Sequence, residues 1–408
     1  MAFISPLERR SVLDKVLRAI DTKFMGPDVD IKGLRERHGV SVLDADTAQS
    51  FEEAMSGMLR DLGVSHTGFF HESTPRAAGR IAIAATFTKA DTRDGHRWVF
   101  QDVHPGGIAA TAGIRPGDVL LSIAGKEFAP PQATPFALGE RYEITLRRPD
   151  GTTTSPTLTI PASKDKQRPL VVPDQVVTAS KLDDGIGLIR VSMFPGVLGM
   201  DVARDMSRAV ADLGCDRLIV DLRGNTGGGI GCLRLMSLLC GDRRGVGYSV
   251  GPTAARKGYA KERLPAFDRI PSSKLGVIPV IVRFATAGRS VAVYTEALGA
   301  KAHHGKVVLL VNEHSASAAE MVAAFASEYG LATVVGVRTP GRLVAASAFK
   351  VGFGYRVALP VAAYFTWKGT NLEGHGVEPD VQEPISPEAL WQGGDNQLVT
   401  ARRVAAAL

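Results

Sequence analysis

The sequence predicts an α/β protein that carries a helical module at its N-terminus and an inserted β domain. Three observations lead there. Near the start, Leu7, Val12, Leu13, Val16, Leu17 and Ile20 recur at helical spacing. From about Arg76 to Pro161, short β-type runs are separated by turn dipeptides. Beyond that stretch, apolar strands alternate with helical segments to the end of the chain. A chain of 408 residues exceeds one ordinary core, so several domains are expected, with boundaries at 1–75, 76–162 and 163–408.

In the first module a second helix is expected from Thr47 to Leu62, with Phe51, Met55, Met58, Leu59 and Leu62 on one face. Gly63 is its stop, and "VSHTGFF" follows. The middle module contains "RIAIAATF", "RWVFQDV", "DVLLSIAG", "YEITLRR" and "SPTLTIP" as strands, with a turn at Pro149-Asp150-Gly151. Within it, Ala109, Ala110 and Ala112 mark a short helix that stops at Gly113, and Pro116-Gly117-Asp118 turns into the next strand. In the last module "RLIVDLRGNTGGGIG" reads as an apolar strand, Leu218 to Leu222, then a glycine-rich loop, then the helix "CLRLMSLLCG". "PVIVRFAT" and "KVVLLVNE" read as two more buried strands, and the basic, Pro-rich stretch 249–276 as a surface excursion near the site.

Composition narrows the classes. Hydrophobic residues make up 45% and charged residues 22%, which suits a folded globular chain. The 48 basic and 42 acidic residues leave a net charge of +6 without a basic block, so nucleic acid is not the expected partner. Cys215, Cys232 and Cys240 are odd in number and lack a C-x-x-C, against a disulfide framework or a zinc site. No eighteen apolar residues run together, so no membrane span is expected. The N-terminus as written has no apolar signal core, so the expected location is cytoplasmic, or periplasmic or secreted where a leader has been removed.

Two loops could carry chemistry. Asn225-Thr226-Gly227-Gly228-Gly229 follows a strand, but it lacks the P-loop lysine and the G-x-G-x-x-G spacing. It offers bare backbone N–H groups, which can hold an anionic oxygen. In "VNEHSASAAEMVAAF", Ser317 and Glu320 fit the S-x-x-E capping box. A serine at a helix mouth is also well placed as a nucleophile, because the helix N–H groups favour developing negative charge. The residues leave both readings open, and one turn can serve both.

"DLRGNTGG" at 221–228, "NEHSASAAE" at 312–320, "GVRTPGR" at 336–342 and "NLEGHGVEPDV" at 371–381 follow one another in order. With "GGIAATAGIRPGDVLLSIAGKEF", which is similar to part of a bacterial PDZ domain, and the helical N-terminus, they resemble the tail-specific, or C-terminal processing, serine peptidases over nearly the whole chain. The resemblance implies a ClpP/crotonase-like core of stacked β-β-α units and an acyl-enzyme mechanism with Ser317 as nucleophile. PDZ domains commonly bind a peptide C-terminus by strand addition. Here "AGRIAIAA" lacks the usual Gly-Φ-Gly near Gly79–Ile83, so capture of a carboxylate is not expected.

Most of that family places a lysine base twenty-five residues after the serine, where this chain has Arg342, which cannot be deprotonated. The tricorn-like branch uses adjacent serine and histidine before the PDZ domain and a glutamate near the C-terminus. "LGVSHTG" supplies Ser65 and His66, and "NLEGHGVEPD" supplies Glu373. The resemblance thus implies His66 as general base, oriented by Glu373 with Ser65, and an oxyanion hole from the N–H of Ala318 and that of Gly227 or Gly228. It implies a peptide or protein substrate, allows a homo-oligomer, and requires no cofactor and no metal. Arg342 is a candidate for binding substrate, for pairing with Glu373, or for a turn that faces solvent. His314 and His375 are the fallback bases, and Asp221 with Arg223 reads as a structural ion pair. The rival reading is a catalytically inactive PDZ-bearing protein that binds peptides or another ligand on the same scaffold.

Overall fold

The computed structural model describes residues 4–73, 82–132, 134–162, 175–196, 199–271, 276, 278–279, 282 and 289–408. Three helices open the chain: α1 (Pro6–Lys23), α2 (Ile31–Leu43) and α3 (Ala48–Arg60). Each starts on a side-chain cap. Ser5 caps α1 and its amide donates to Glu8 at 2.7 Å, Asp30 accepts from the Gly33 amide at 3.0 Å, and Thr47 accepts from the Ser50 amide at 3.0 Å. Helix α2 has no apolar stripe to mark it in the sequence, because its buried residues are only Leu34, Gly39 and Val42.

Gly63 adopts φ 65°, a left-handed conformation that ends the helical segment and turns the chain toward Ser65 and His66. Strand β1 (Gly68–His71) follows. The helices do not close a core of their own. Phe51 of α3 meets Phe69 of β1 edge-on at 5.4 Å and Tyr355 at 5.2 Å, and the same cluster includes Val351, Val357 and Leu359 from near the other end of the chain.

The PDZ-like module is an antiparallel sheet of β2 (Ala85–Thr92), β3 (Gly95–Val103), β4 (Val119–Ile123), β5 (Lys126–Glu127), β6 (Arg141–Arg147), β7 (Thr153–Thr154) and β8 (Thr157–Thr159). Its order is β2-β3-β4-β6-β7, with β5 on β4 and β8 on β6. The short helix Ile108–Thr111 lies where expected. The strand read in "RIAIAATF" begins only at Ala85. Ala82 and Ile83 are fully buried in a helical turn, and the Gly79–Ile81 part of the expected carboxylate loop lies outside the described residues.

The remaining strands are β9 (Val177–Lys181), β10 (Gly187–Val191), β11 (Arg217–Asp221), β12 (Gly245–Val250), β13 (Ala266–Phe267), β14 (Val291–Tyr294), β15 (Lys306–Val311), β16 (Thr333–Gly336), β17 (Val344–Gly352), β18 (Tyr355–Thr366) and β19 (Val381–Gln382). One sheet has the order β19-β16-β15-β11-β10-β9 and is parallel except at β9. Alternate residues face two cores, as strand geometry requires. Val220, Leu309 and Val311 pack with the helices Met200–Leu213, Cys232–Cys240 and Ala318–Glu328, while Ile219, Val308 and Leu310 pack with Ala401 and Ala405 of the helix Asn396–Ala407. The mixed α/β class is therefore present, with both faces of the parallel sheet covered.

A second sheet has the order β1-β18-β12-β14-β13, with β17 on β18. The β17–β18 hairpin was not expected from the sequence. Most of "PVIVRFAT", expected as a buried strand, lies outside the described residues; its described residues Pro279 and Val282 are helical, and Val282 is 55% exposed. The strand position beside β12 is taken by β14 instead. The 249–276 excursion carries the exposed helix Pro252–Lys257 and then returns to the sheet, where β13 pairs in parallel with β14. Among the described residues no helix is long and apolar enough to cross a membrane.

Phe51→Ala is expected to lower stability by about 3–5 kcal/mol, read from the midpoint of urea unfolding, because the site it leaves is walled by Phe69 and Tyr355 and cannot collapse.

Candidate active site

Parallel strands β11 and β15 are neighbours, so the loops leaving their C-terminal ends lie side by side. The first is the glycine-rich loop; the second holds Ser317 at the mouth of the helix Ala318–Glu328. Ser317 has φ 57° and ψ −116°, a conformation a non-glycine residue rarely takes and which costs on the order of 1–3 kcal/mol. Its neighbours over-determine it. The Ser317 amide donates to Glu320 Oε2 at 2.9 Å, and the Ala316 amide donates to the Asn225 carbonyl at 2.9 Å.

Gly227 is packed directly against the serine. A Cβ there would lie 2.6 Å from the Ser317 Cβ and 2.9 Å from the Ala318 nitrogen, so only glycine fits. The Gly227 amide itself donates to Asn225 Oδ1 at 2.8 Å. Of the two glycines singled out in the sequence, Gly227 is therefore the spacer and its N–H is engaged. The N–H groups of Gly228 and Ala318 have no protein acceptor among the described residues. That leaves two backbone donors beside the Ser317 hydroxyl.

Two carboxylates hold the surroundings. Glu320 is fully buried and accepts four hydrogen bonds: from the Ser317 amide, the Arg342 amide at 2.8 Å, the Gly341 amide at 2.7 Å and the Thr339 hydroxyl at 2.7 Å. Glu373 accepts from the Ser65 amide at 2.6 Å, the Ser65 hydroxyl at 3.0 Å and the Leu343 amide at 2.8 Å. Consecutive amides, Arg342 and Leu343, thus go to different carboxylates, and this short segment ties the serine loop to the Ser65–His66 turn.

The Ser65 hydroxyl also lies 2.6 Å from His66 Nδ1. A hydroxyl has one proton. With that proton given to Glu373, Nδ1 must carry its own, and Nε2 is left as the bare, basic nitrogen. His66 also takes a positive φ, 57°, like Ser317. The histidine is open to solvent at its edge but crowded by protein at its back. That crowding, the larger effect, holds its pKa below the ordinary imidazole value; Glu373 opposes the shift and Arg342 adds to it. Among the described residues no hydrogen bond joins the Ser317 hydroxyl to His66.

The other expected residues fall into place around this pair. Arg342 is exposed and makes no ion pair with Glu373 among the described residues; only its amide is anchored, on Glu320. His314 Nε2 lies 3.1 Å from the Phe87 carbonyl of β2, and His375 Nδ1 lies 2.9 Å from the Glu373 carbonyl. Arg223 pairs with Asp221 and with Asp395, both at 2.8 Å, as a buried structural pair. Cys215, Cys232 and Cys240 are free thiols. Among the described residues no group of three or more His, Cys, Asp or Glu is placed to hold a metal ion.

Sequence reasoning missed Asn312 and Asp102. Asn312 is fully buried. Its Oδ1 accepts from the amides of Gly224 at 3.0 Å and His314 at 3.1 Å, and its Nδ2 donates to Asp102 Oδ2 at 2.8 Å. One side chain therefore clamps both loops, and a carboxylate from the PDZ-like sheet fixes its orientation. An asparagine just after an apolar strand is the only trace of this in the sequence.

A serine on a strained helix mouth, two free amides and a histidine fixed by a carboxylate through a hydroxyl stand on an α/β core next to a PDZ-like sheet. Residues 185–383 match the model of peptidase family S41, and residues 99–148 match that of the PDZ domain. The chain is 25% identical over 307 residues to the carboxyl-terminal-processing protease of a Picosynechococcus species, covering 73% of this chain and 64% of that protein. It is 24% identical over 303 residues to tricorn protease homolog 1 of Streptomyces coelicolor, covering 72% of this chain and 24% of that one. It spans less than two thirds of the length of these relatives. Among solved structures, the photosystem II D1 C-terminal processing protease aligns over 94% of both chains with a TM-score of 0.56 at 21% identity. The tricorn protease aligns over 97% of this chain and 36% of its own, with a TM-score of 0.50 at 18% identity.

Glu320→Gln keeps the shape but replaces one acceptor oxygen with an NH2 that faces N–H groups. The expected loss is about 1–3 kcal/mol for each donor left unsatisfied, read as a lower urea midpoint with an unchanged m value.

Proposed function

We propose that this protein is a serine peptidase that cleaves peptide bonds in peptide or protein substrates through an acyl-enzyme, without a cofactor. The observation that carries the reading is the coupled holding of Ser317 and His66. Glu320 fixes the serine, Glu373 and Ser65 fix the histidine, and adjacent amides of one segment join the two carboxylates. The matches to peptidase family S41 and to proteins named as processing and tricorn proteases support it. The site is of the tricorn-like Ser-His-Glu type, on a ClpP/crotonase-like core of stacked β-β-α units within 163–408, with modules at 1–75 and 76–162.

In this mechanism His66 Nε2 takes the Ser317 proton as Oγ attacks the scissile carbonyl. The hydrogen bond between them tightens on approach of substrate. The tetrahedral oxygen receives the N–H groups of Ala318 and Gly228, each donor of this kind contributing roughly 10²–10³ in rate. His66 then returns the proton to the leaving amine, and water repeats the sequence on the acyl-enzyme. Glu373, acting through the Ser65 hydroxyl, stabilises the imidazolium and holds the tautomer. Arg342 stands free at the edge as a substrate contact.

A fluorophosphonate probe is expected to add its mass to Ser317. Folded protein that resists the probe repeatedly is instead a PDZ-bearing binding protein. His66→Ala should lower kcat/KM by roughly 10²–10⁴ without changing the unfolding midpoint appreciably.

The pH profile carries a sign. The base form of His66 is the active one, and its pKa lies below the ordinary value of about 6.5. Activity should therefore rise with pH, with the midpoint of the rise below that value. Arg342→Gln removes a charge that depresses the same pKa, so the rise should move to higher pH. A profile that does not move would remove Arg342 from the electrostatics of the site.

A further inference from the structure

A cavity of about 900 Å³ lies at the seam between the PDZ-like sheet and the parallel sheet. None of Ser317, His66 or Glu373 lines it. Its walls come from Gln101 on β3, Arg148 just after β6, Arg190 on β10, and Trp391 near the C-terminus, with Arg115 nearby.

The polar groups of this cavity do not balance. Its carboxylates are all engaged. Asp102 accepts from Thr86 at 2.5 Å and Asn312 at 2.8 Å, Asp150 from the amide and hydroxyl of Thr152 at 2.8 and 2.7 Å, and Asp395 from Arg223 and the Leu398 amide. Four donors on lining residues are not engaged. Gln101 Nε2, Arg148 Nη1, Arg190 Nε and Trp391 Nε1 are buried atoms without a hydrogen-bond acceptor, and beside these four donors Gln101 Oε1 is a buried acceptor without a donor. Gln101 is only 4% exposed, so its amide cannot swing out to bulk water. Arg190 comes no nearer than 3.7 Å to Asp102 and to Asp221. Buried donors without acceptors are rare, and a group of them with guanidinium charge among them suits an acceptor-rich, negative guest.

We propose that the seam cavity binds a small oxyanion, a ligand with a carboxylate or phosphate group. Guanidinium groups of Arg148 and Arg190 supply charge, and Gln101 and Trp391 supply neutral donors that fix the orientation. The site is distinct from the serine site, yet Asp102 lies on its wall and also holds Asn312, the clamp of both active-site loops.

The test uses the full chain. Thermal unfolding and titration calorimetry are run with inorganic phosphate and with succinate, each against sodium chloride at matched ionic strength. A saturable, single-site effect of either anion beyond chloride supports the proposal, and which anion binds tells phosphate from carboxylate. Trp391→Phe removes one N–H and keeps the ring, and Gln101→Leu removes the amide. Each should weaken the apparent affinity by about tenfold, the usual loss for a hydrogen bond to a charged group. Ser317→Ala should bind the anion as tightly as the parent protein. No effect beyond chloride overturns the proposal. So does binding that both wall variants leave unchanged, or binding lost in Ser317→Ala.

Discussion

The structure depends on one buried carboxylate. Glu320 is the third residue of the helix that Ser317 opens, and it is a fully buried acid surrounded by donors. A charge so placed is tolerable only because four hydrogen bonds converge on it. Those bonds are also what hold Ser317 in a backbone conformation it would not adopt alone, and what bring the 339–343 segment against it. The same segment then reaches Glu373 through its next amide. Remove the first carboxylate from this arrangement and the serine loop loses its hydrogen bonds to the segment that reaches Glu373 and the Ser65–His66 turn.

The capping box and the nucleophile are therefore one feature with two aspects. The sequence pattern S-x-x-E reports a helix start, and the structure keeps the Glu half of that exchange. What differs from an ordinary cap is the positive φ of Ser317 and the glycine pressed against it, which turn the residue toward the glycine-rich loop. Strain of this kind persists where the surroundings insist on it, and it points to function. His66 carries the same mark at the other end of the arrangement.

How much of this was legible follows from distance along the chain. Ser317, Ser65, His66, Glu373 and the glycine loop stand in short local motifs, and the structure draws them around a single segment. Asn312 and Asp102 were not legible, because their bond joins residues 210 positions apart and neither has a distinctive neighbourhood. Helix α2 escaped notice because its caps are local but its buried face is sparse. At Pro279 and Val282 of "PVIVRFAT" the chain is helical, and a short apolar run does not distinguish a strand from a helix. The choice between Gly227 and Gly228 needed coordinates as well, since only the acceptor at Asn225 Oδ1 shows which amide is engaged.

The shared core of the first three helices and the β17–β18 hairpin has a consequence for the newborn chain. Ser65 and His66 are set by α3 and β1, β1 is paired to β18, and the carboxylate that orients them comes from Glu373, 308 positions after Ser65. While the chain emerges from the ribosome, the serine loop and the 339–343 segment that holds it leave ahead of Glu373, so the oriented histidine completes later than the serine loop. On the proposed mechanism the protein has no working centre until its last third has been made and folded back onto its first helices.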